Sequence, residues 1–209
     1  MPATAPLRSD VRTDVCVIGA GIAGLSTAYH LVKSGLSVAV LDAGPIGGGE
    51  TGRTTAHLSN AYDDRYYGTD GSRLIAESHT AAIDRIEAIV ATERIDCDFE
   101  RLDGYLFVPP GESTEELDRE LEAAHQAGLT DVERVARAPL PCFDTGPCLR
   151  FPRQGQFHPL RYLAASNGSS VLSGPLLARR IRTAEGDAFS RRAVYFPSRG
   201  ESAPPGQRP

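Results

Sequence analysis

The sequence predicts an α/β fold that opens with a strand–helix–strand unit, and three observations carry that prediction. Residues 14–18 are a short, β-branched run that stops at Gly19. Over residues 22–34, Ile22, Leu25, Ala28, Tyr29, Leu31 and Val32 recur at helical spacing, and Gly35 stands where a helix C-cap is expected. Residues 37–41 are again short and valine-rich, closed by Asp42. The whole fits within about 30 residues, the span of one βαβ unit.

Composition permits such a fold. The chain has 209 residues, 41% hydrophobic and 23% charged, which is globular rather than disordered composition. The longest apolar stretch is broken by glycines, so no membrane span is expected. Residues 1–12 read as a polar tail without the apolar core of a secretory signal, so a cytoplasmic location is expected. Cys16, Cys97, Cys142 and Cys148 form no C-x-x-C pair and have no histidine at zinc-ligand spacing, so no metal site is expected. Cys142 and Cys148 are read as reduced thiols, with a redox pair as the alternative. Cys16 is expected to be buried in the first strand.

Beyond the opening unit, residues 44–52 hold five glycines, a loop whose backbone amides can approach a ligand closely. Residues 72–94 carry Leu74, Ile75, Ala82, Ile83, Ile86, Ile89 and Val90 on one face of a long helix. A strand is expected at 104–108, stopped by Pro109 and Pro110. Ser113 and Glu116 have the spacing of a capping box for a helix reaching about Ala127. Residues 139–159, with five prolines, read as a connection.

After residue 165 the character changes. Arg, Ser, Gly and Pro supply 24 of the last 44 residues, a tail-like composition. That segment carries a net +4 (seven Arg against Glu185, Asp187 and Glu201), leaving −9 of the total −5 on residues 1–165. A basic arm for nucleic acid would need aromatic stacking pairs or a known module, and neither is present. No nucleic-acid partner is therefore expected. The abrupt change is what an out-of-frame reading of a GC-rich gene produces, so a frameshift or premature end is the expectation.

The chemistry concentrates at the first turn. Gly19-Ala20-Gly21-Ile22-Ala23-Gly24 is a G-x-G-x-x-G set between a strand and a helix. The first glycine permits the tight turn, the second admits a pyrophosphate, and the third lets helix pack on strand. The helix N-terminus offers amides and a positive dipole to phosphates. Asp42, with Ala43 beside it, lies 23 positions after Gly19, matching the carboxylate that accepts ribose hydroxyls. An acid there disfavours the 2′-phosphate of NADP, which leaves NAD or FAD.

The second glycine loop separates them. The run GIAGLSTAYHLVKSGLSVAVLDAGPIGGGETGRTTAHLS resembles the N-terminus of the glycine/D-amino-acid oxidase family of FAD-dependent oxidoreductases. Within it, GGGETGRTTAHL is most similar to the branch carrying a Rieske domain and to gamma-glutamylputrescine oxidase-like proteins. IDCDFERLDGYLFV and FPRQGQFHPLRYLA also resemble the family, the latter as a return into the flavin domain. The resemblance spans about residues 13–165. No C-x-H followed by C-x-x-H is present, so the Rieske domain itself is not expected.

By that resemblance, Gly49, Thr51, Gly52, Arg53, Thr54 and Thr55 line the FAD pyrophosphate, with His57 near the flavin ring. Arg53 would supply charge, and the threonines and glycines donors. The alternatives are a solvated surface charge for Arg53 and a packed or capping histidine for His57. The fold implied is a Rossmann-like FAD-binding βαβ domain (13–60), incomplete, with part of an α+β substrate domain (about 95–150) and an irregular tail (166–209).

The function implied is an amine or amino-acid oxidase-like flavoprotein in which FAD performs the hydride chemistry. No catalytic side chain can be named from the sequence. The competing readings are a truncated, inactive product and an NAD-dependent dehydrogenase, the latter disfavoured by the loop at 44–55.

Overall fold

The computed structural model describes residues 12–42, 44–109, 113–141, 143–168, 176–183 and 186–196. They fall into two compact units. The first is drawn from Met1–Thr55, Glu93–Cys97 and His158–Pro209, and the second from Ala56–Thr92 and Asp98–Phe157. The expected substrate-domain segment, about 95–150, thus lies mostly in a larger unit that begins at Ala56.

In the first unit, β1 (Val15–Ile18), α1 (Ile22–Lys33) and β2 (Val38–Asp42) form the expected βαβ, with β1 and β2 parallel and Ile18 opposite Leu41. The apolar spacing of α1 puts Leu25, Ala28 and Tyr29 inward. Val38 and Val40 of β2 are fully buried. His30 and Lys33 sit in the last turn of α1, where positive charge complements the helix dipole. Lys33 Nζ and the Tyr29 hydroxyl both donate to Glu93 Oε1, at 2.8 Å each.

Helix α4 (Pro159–Gly168) joins this unit. Its entry is fixed by the His158 N–H, which donates to the Cys97 carbonyl at 2.6 Å, and it buries Tyr162 and Leu163.

Four expectations are corrected by the fold. Cys16 is exposed rather than buried, and Ile18 is 81% exposed. The cause is alternation on an edge strand: Val15 and Val17 are half-buried while Cys16 and Ile18 point the other way. No regular structure was expected after residue 165, yet β7 (Leu176–Thr183) and β8 (Gly186–Phe196) pair as antiparallel strands, and β8 adds to β2 in the order β1-β2-β8-β7. Bulk composition conceals the local Phe189, Val194, Tyr195 and Phe196, which are strong β formers. The rest of that tail, with residues 1–11, Ala43 and Cys142, lies outside the described residues.

The third correction is in the second unit, where the supposed connection holds the central strand. There β6 (Cys148–Gln156) pairs with β4 (Glu100–Phe107) along one side and with β3 (His57–Leu58) and β5 (Glu133–Val135) on the other, all antiparallel. Leu102 faces Gln154 and Gly104 faces Phe151, so Asp103 alone opposes Pro152 and Arg153. This is a bulge, and Arg153 takes φ +58° in it. A proline is tolerated there because the extra residue makes no ladder bond.

Helices α2 (Ser72–Glu93) and α3 (Glu115–Gln126) complete this unit, whose core gathers Tyr66, Ala76, Leu117, Ala124, Leu149 and Phe151. The capping box does not form: Thr114 is the N-cap, and Ser113 Oγ accepts from the Glu115 N–H at 3.2 Å. Glu120 is buried and accepts the Tyr66 N–H (2.9 Å to Oε2) and the Tyr67 N–H (3.3 Å). No helix among the described residues is long and apolar enough to cross a membrane.

Candidate nucleotide site

The site is built where β1 hands the chain to α1. Gly19 has φ +104°, a conformation that side-chain-bearing residues rarely adopt, and its N–H donates to the Leu41 carbonyl at 2.6 Å. At Gly24 a Cβ would fall 1.9 Å from the Gly19 carbonyl oxygen. Only glycine allows helix and turn to approach this closely.

Gly21 is the N-cap of α1 and Ile22 its first residue, with Ala23 following. Glycine offers no capping side chain and the first turn carries no acidic residue, so α1 itself sets no carboxylate against its positive end. A Cβ at Gly19 would meet nothing within 4 Å, and the same holds at Gly49. Both backbones face open space.

Asp42 ends β2 beside this turn. Its Oδ2 accepts the Ala20 N–H at 2.5 Å and its Oδ1 the Gly44 N–H at 2.7 Å. Ala20 in turn accepts the Gly47 N–H at 3.0 Å, and Ile22 donates its N–H to Thr51 Oγ1 at 3.0 Å. The two glycine loops are therefore fastened to each other. Thr51 is buried within a short 3₁₀ turn, Glu50–Gly52, and a Cβ on Gly52 would crowd the Gly47 carbonyl oxygen at 2.8 Å, with Leu160 of α4 at 3.8 Å.

The structure thus brings together Gly19, Gly21, Ile22, Gly24, Asp42, Thr51 and Gly52. Gly49 caps the 3₁₀ turn. Arg53, Thr54 and Thr55 follow it and are exposed. Arg53 pairs with Glu50 at 3.6 Å, and its side chain is 74% exposed. His57 is exposed and belongs to the second unit, where it pairs with Gln156 as the first residue of β3. Sequence reasoning missed Ala20 and Gly47, whose contributions are backbone groups without a side-chain signature, and Leu160, which reaches the loop from a helix more than 100 residues away in sequence.

Strand, glycine turn, helix and acidic strand end have the form of the dinucleotide-binding class of α/β proteins. The chain belongs to one family of that class, FAD dependent oxidoreductase (DAO), which matches residues 14–196. FAD is the cofactor of this family. The match runs beyond residue 165, where the resemblance read from the sequence stopped, and takes in β7 and β8.

The chain is 33% identical over 171 residues to a Bacillus subtilis (strain 168) protein named as a Rieske 2Fe-2S iron-sulfur protein, YhfW, covering 79% of this chain and 33% of that protein. It is 36% identical over 108 residues to gamma-glutamylputrescine oxidoreductase of Escherichia coli (strain K12), covering 49% and 25%. Among solved structures it is similar to glycine oxidase from Geobacillus kaustophilus (TM-score 0.63, 18% identity, 75% of this chain and 44% of that one). It is also similar to L-amino acid deaminase from Proteus myxofaciens in complex with anthranilate (TM-score 0.65, 18% identity, 88% and 42%). These two structural likenesses establish the fold. The chain spans a third or less of the length of the two sequence relatives and under half of the two solved chains.

Proposed function

We propose that this chain holds the ADP half of FAD for an oxidoreductase acting on an amine or amino-acid substrate. The observation that carries the reading is the turn itself: an acid-free helix N-terminus, open glycine backbone at Gly19 and Gly49, and Asp42 at the adjacent strand end. An anionic pyrophosphate fits that donor set.

In this reading the amides of the first turn of α1 beyond Ile22, whose N–H Thr51 already takes, hold the pyrophosphate, and Asp42 accepts the ribose hydroxyls with the lone pairs its two amide partners leave free. Thr51 and Gly47 hold the second loop against the first, with Gly49 and Gly52 beside them, while Arg53, Thr54 and Thr55 continue along the pyrophosphate. When bound, FAD supplies the two-electron acceptor for hydride removal. The substrate class follows the relatives, among them glycine oxidase and gamma-glutamylputrescine oxidoreductase.

Titration of the purified chain with FAD, followed by flavin fluorescence, tests the reading. Asp42→Ala is expected to weaken binding at least about tenfold, since hydrogen bonds to a charged group contribute roughly 1.5 to 3 kcal/mol. Gly21→Val should abolish it, because a Cβ at Gly21 already stands 3.0 Å from Thr51 Oγ1 and the longer side chain would fill the cradle. Unchanged affinity in both variants would refute the site.

A further inference from the structure

A carboxylate reserved for ribose would point both oxygens outward, but Asp42 spends one on each glycine loop. Its Oδ2 takes the Ala20 N–H at 2.5 Å and its Oδ1 the Gly44 N–H at 2.7 Å. We propose that Asp42 is also a positioning residue for the pyrophosphate turn, bracing the Gly19–Ala20 peptide so that the amides beyond it are held ready for phosphate before any ligand arrives. The proposal rests on the nucleotide-site reading and adds a role that does not pass through ribose.

The geometry favours a brace over a passing contact. The Gly19 N–H is already bound to the Leu41 carbonyl at 2.6 Å, so two consecutive amides of the turn are anchored on the end of β2. With both fixed, the orientation of the next peptides, at Gly21 and Ile22, has little freedom left. Ala20 is 1% exposed, so its amide has no water to fall back on if the carboxylate is removed. The Ala20 carbonyl meanwhile accepts the Gly47 N–H, so a shift of this one peptide would also release the second loop. A carboxylate offers about four acceptor directions, and two remain for a ligand.

The test separates the two roles of one side chain. Calorimetric titrations with ADP and with 2′,3′-dideoxy-ADP, which lacks both ribose hydroxyls, are run on the wild type and on Asp42→Asn. Asparagine keeps one acceptor oxygen and turns an NH2 toward the other amide. The brace predicts that Asp42→Asn weakens dideoxy-ADP about tenfold even though it has no ribose hydroxyls, and weakens ADP by at least that factor. A loss seen with ADP and absent with dideoxy-ADP would overturn it, because Asp42 would then act on ribose alone.

Amide hydrogen exchange of the ligand-free protein is independent of the nucleotide reading. Slow exchange of the Ala20 amide in the wild type, lost in Asp42→Asn, supports the brace. Equally fast exchange in both, or fast exchange in the wild type should the variant fail to fold, refutes it. Slow Ala20 exchange in a wild type that binds neither ADP nor FAD would refute the nucleotide site and leave the brace as a purely structural latch, overturning the proposed positioning role.

Discussion

Thr51 Oγ1 lies 3.0 Å from the backbone nitrogen of Ile22 and accepts its N–H, so a residue of the second glycine loop caps the helix that the first loop opens. The pairing joins positions 29 apart in sequence. It makes the site a single object rather than two loops that meet only on a ligand.

Thr51→Val keeps the side-chain shape and removes the acceptor, leaving the Ile22 N–H without a protein partner. A loss of about 1 kcal/mol is expected, the usual cost of a deleted N-terminal cap. Thr51→Ser should restore most of it. Urea unfolding of the three proteins checks this, and a valine variant as stable as the wild type would show that the bond contributes nothing.

Gly24→Ala is expected to be far more costly than its single methyl suggests. The new Cβ would sit 1.9 Å from the Gly19 carbonyl oxygen and 3.0 Å from its carbon, both backbone atoms that cannot rotate aside. The turn must open or α1 must lift from β1, at about 3 kcal/mol. A soluble, equally stable alanine variant would mean that helix and turn are not so closely packed.

Two carboxyls should bend the pH dependence of stability in opposite directions. Burial raises the Glu120 carboxyl above its ordinary 4.5, against the pull of the Tyr66 and Tyr67 amides. The folded state therefore binds this proton more tightly than the unfolded state, and the stabilisation is full below 4.5 and lost as pH rises through the raised value. Lys33, and next the Tyr29 hydroxyl, hold Glu93 below 4.5, so its stabilisation is present above 4.5 and fades as pH falls through the lowered value. Relative to wild type, Glu120→Gln should lose least at neutral pH and Glu93→Gln least in acid. Denaturant midpoints across that range decide it, and parallel profiles for all three proteins would contradict both assignments.

The βαβ unit was legible because its signals are local: β-branched runs stopped by Gly19 and Asp42, and an apolar helical stripe whose observed end, Lys33, falls one residue short of the expected one. Strand β6 was not, because Pro152 reads as a breaker unless the partner strand shows the bulge at Asp103 that accommodates it. Cys16 was misplaced for a related reason. A short apolar run announces a strand but not whether that strand is central or at an edge. In the candidate site, Asp42 and the glycines were visible as residue types, whereas the Ala20 and Gly47 backbone groups that join the loops become visible only when the chain is folded.

The central claim is that the two fastened glycine loops receive the ADP half of FAD. Amide hydrogen exchange of the purified chain, with and without saturating FAD, tests it most directly because it reports where on the backbone the ligand acts. Slowed exchange confined to residues 19–24 and 44–55 is the predicted result, with the amides at the start of α1 changing most. Exchange that FAD leaves unaltered in those two loops, or slows only elsewhere in the chain, would contradict it.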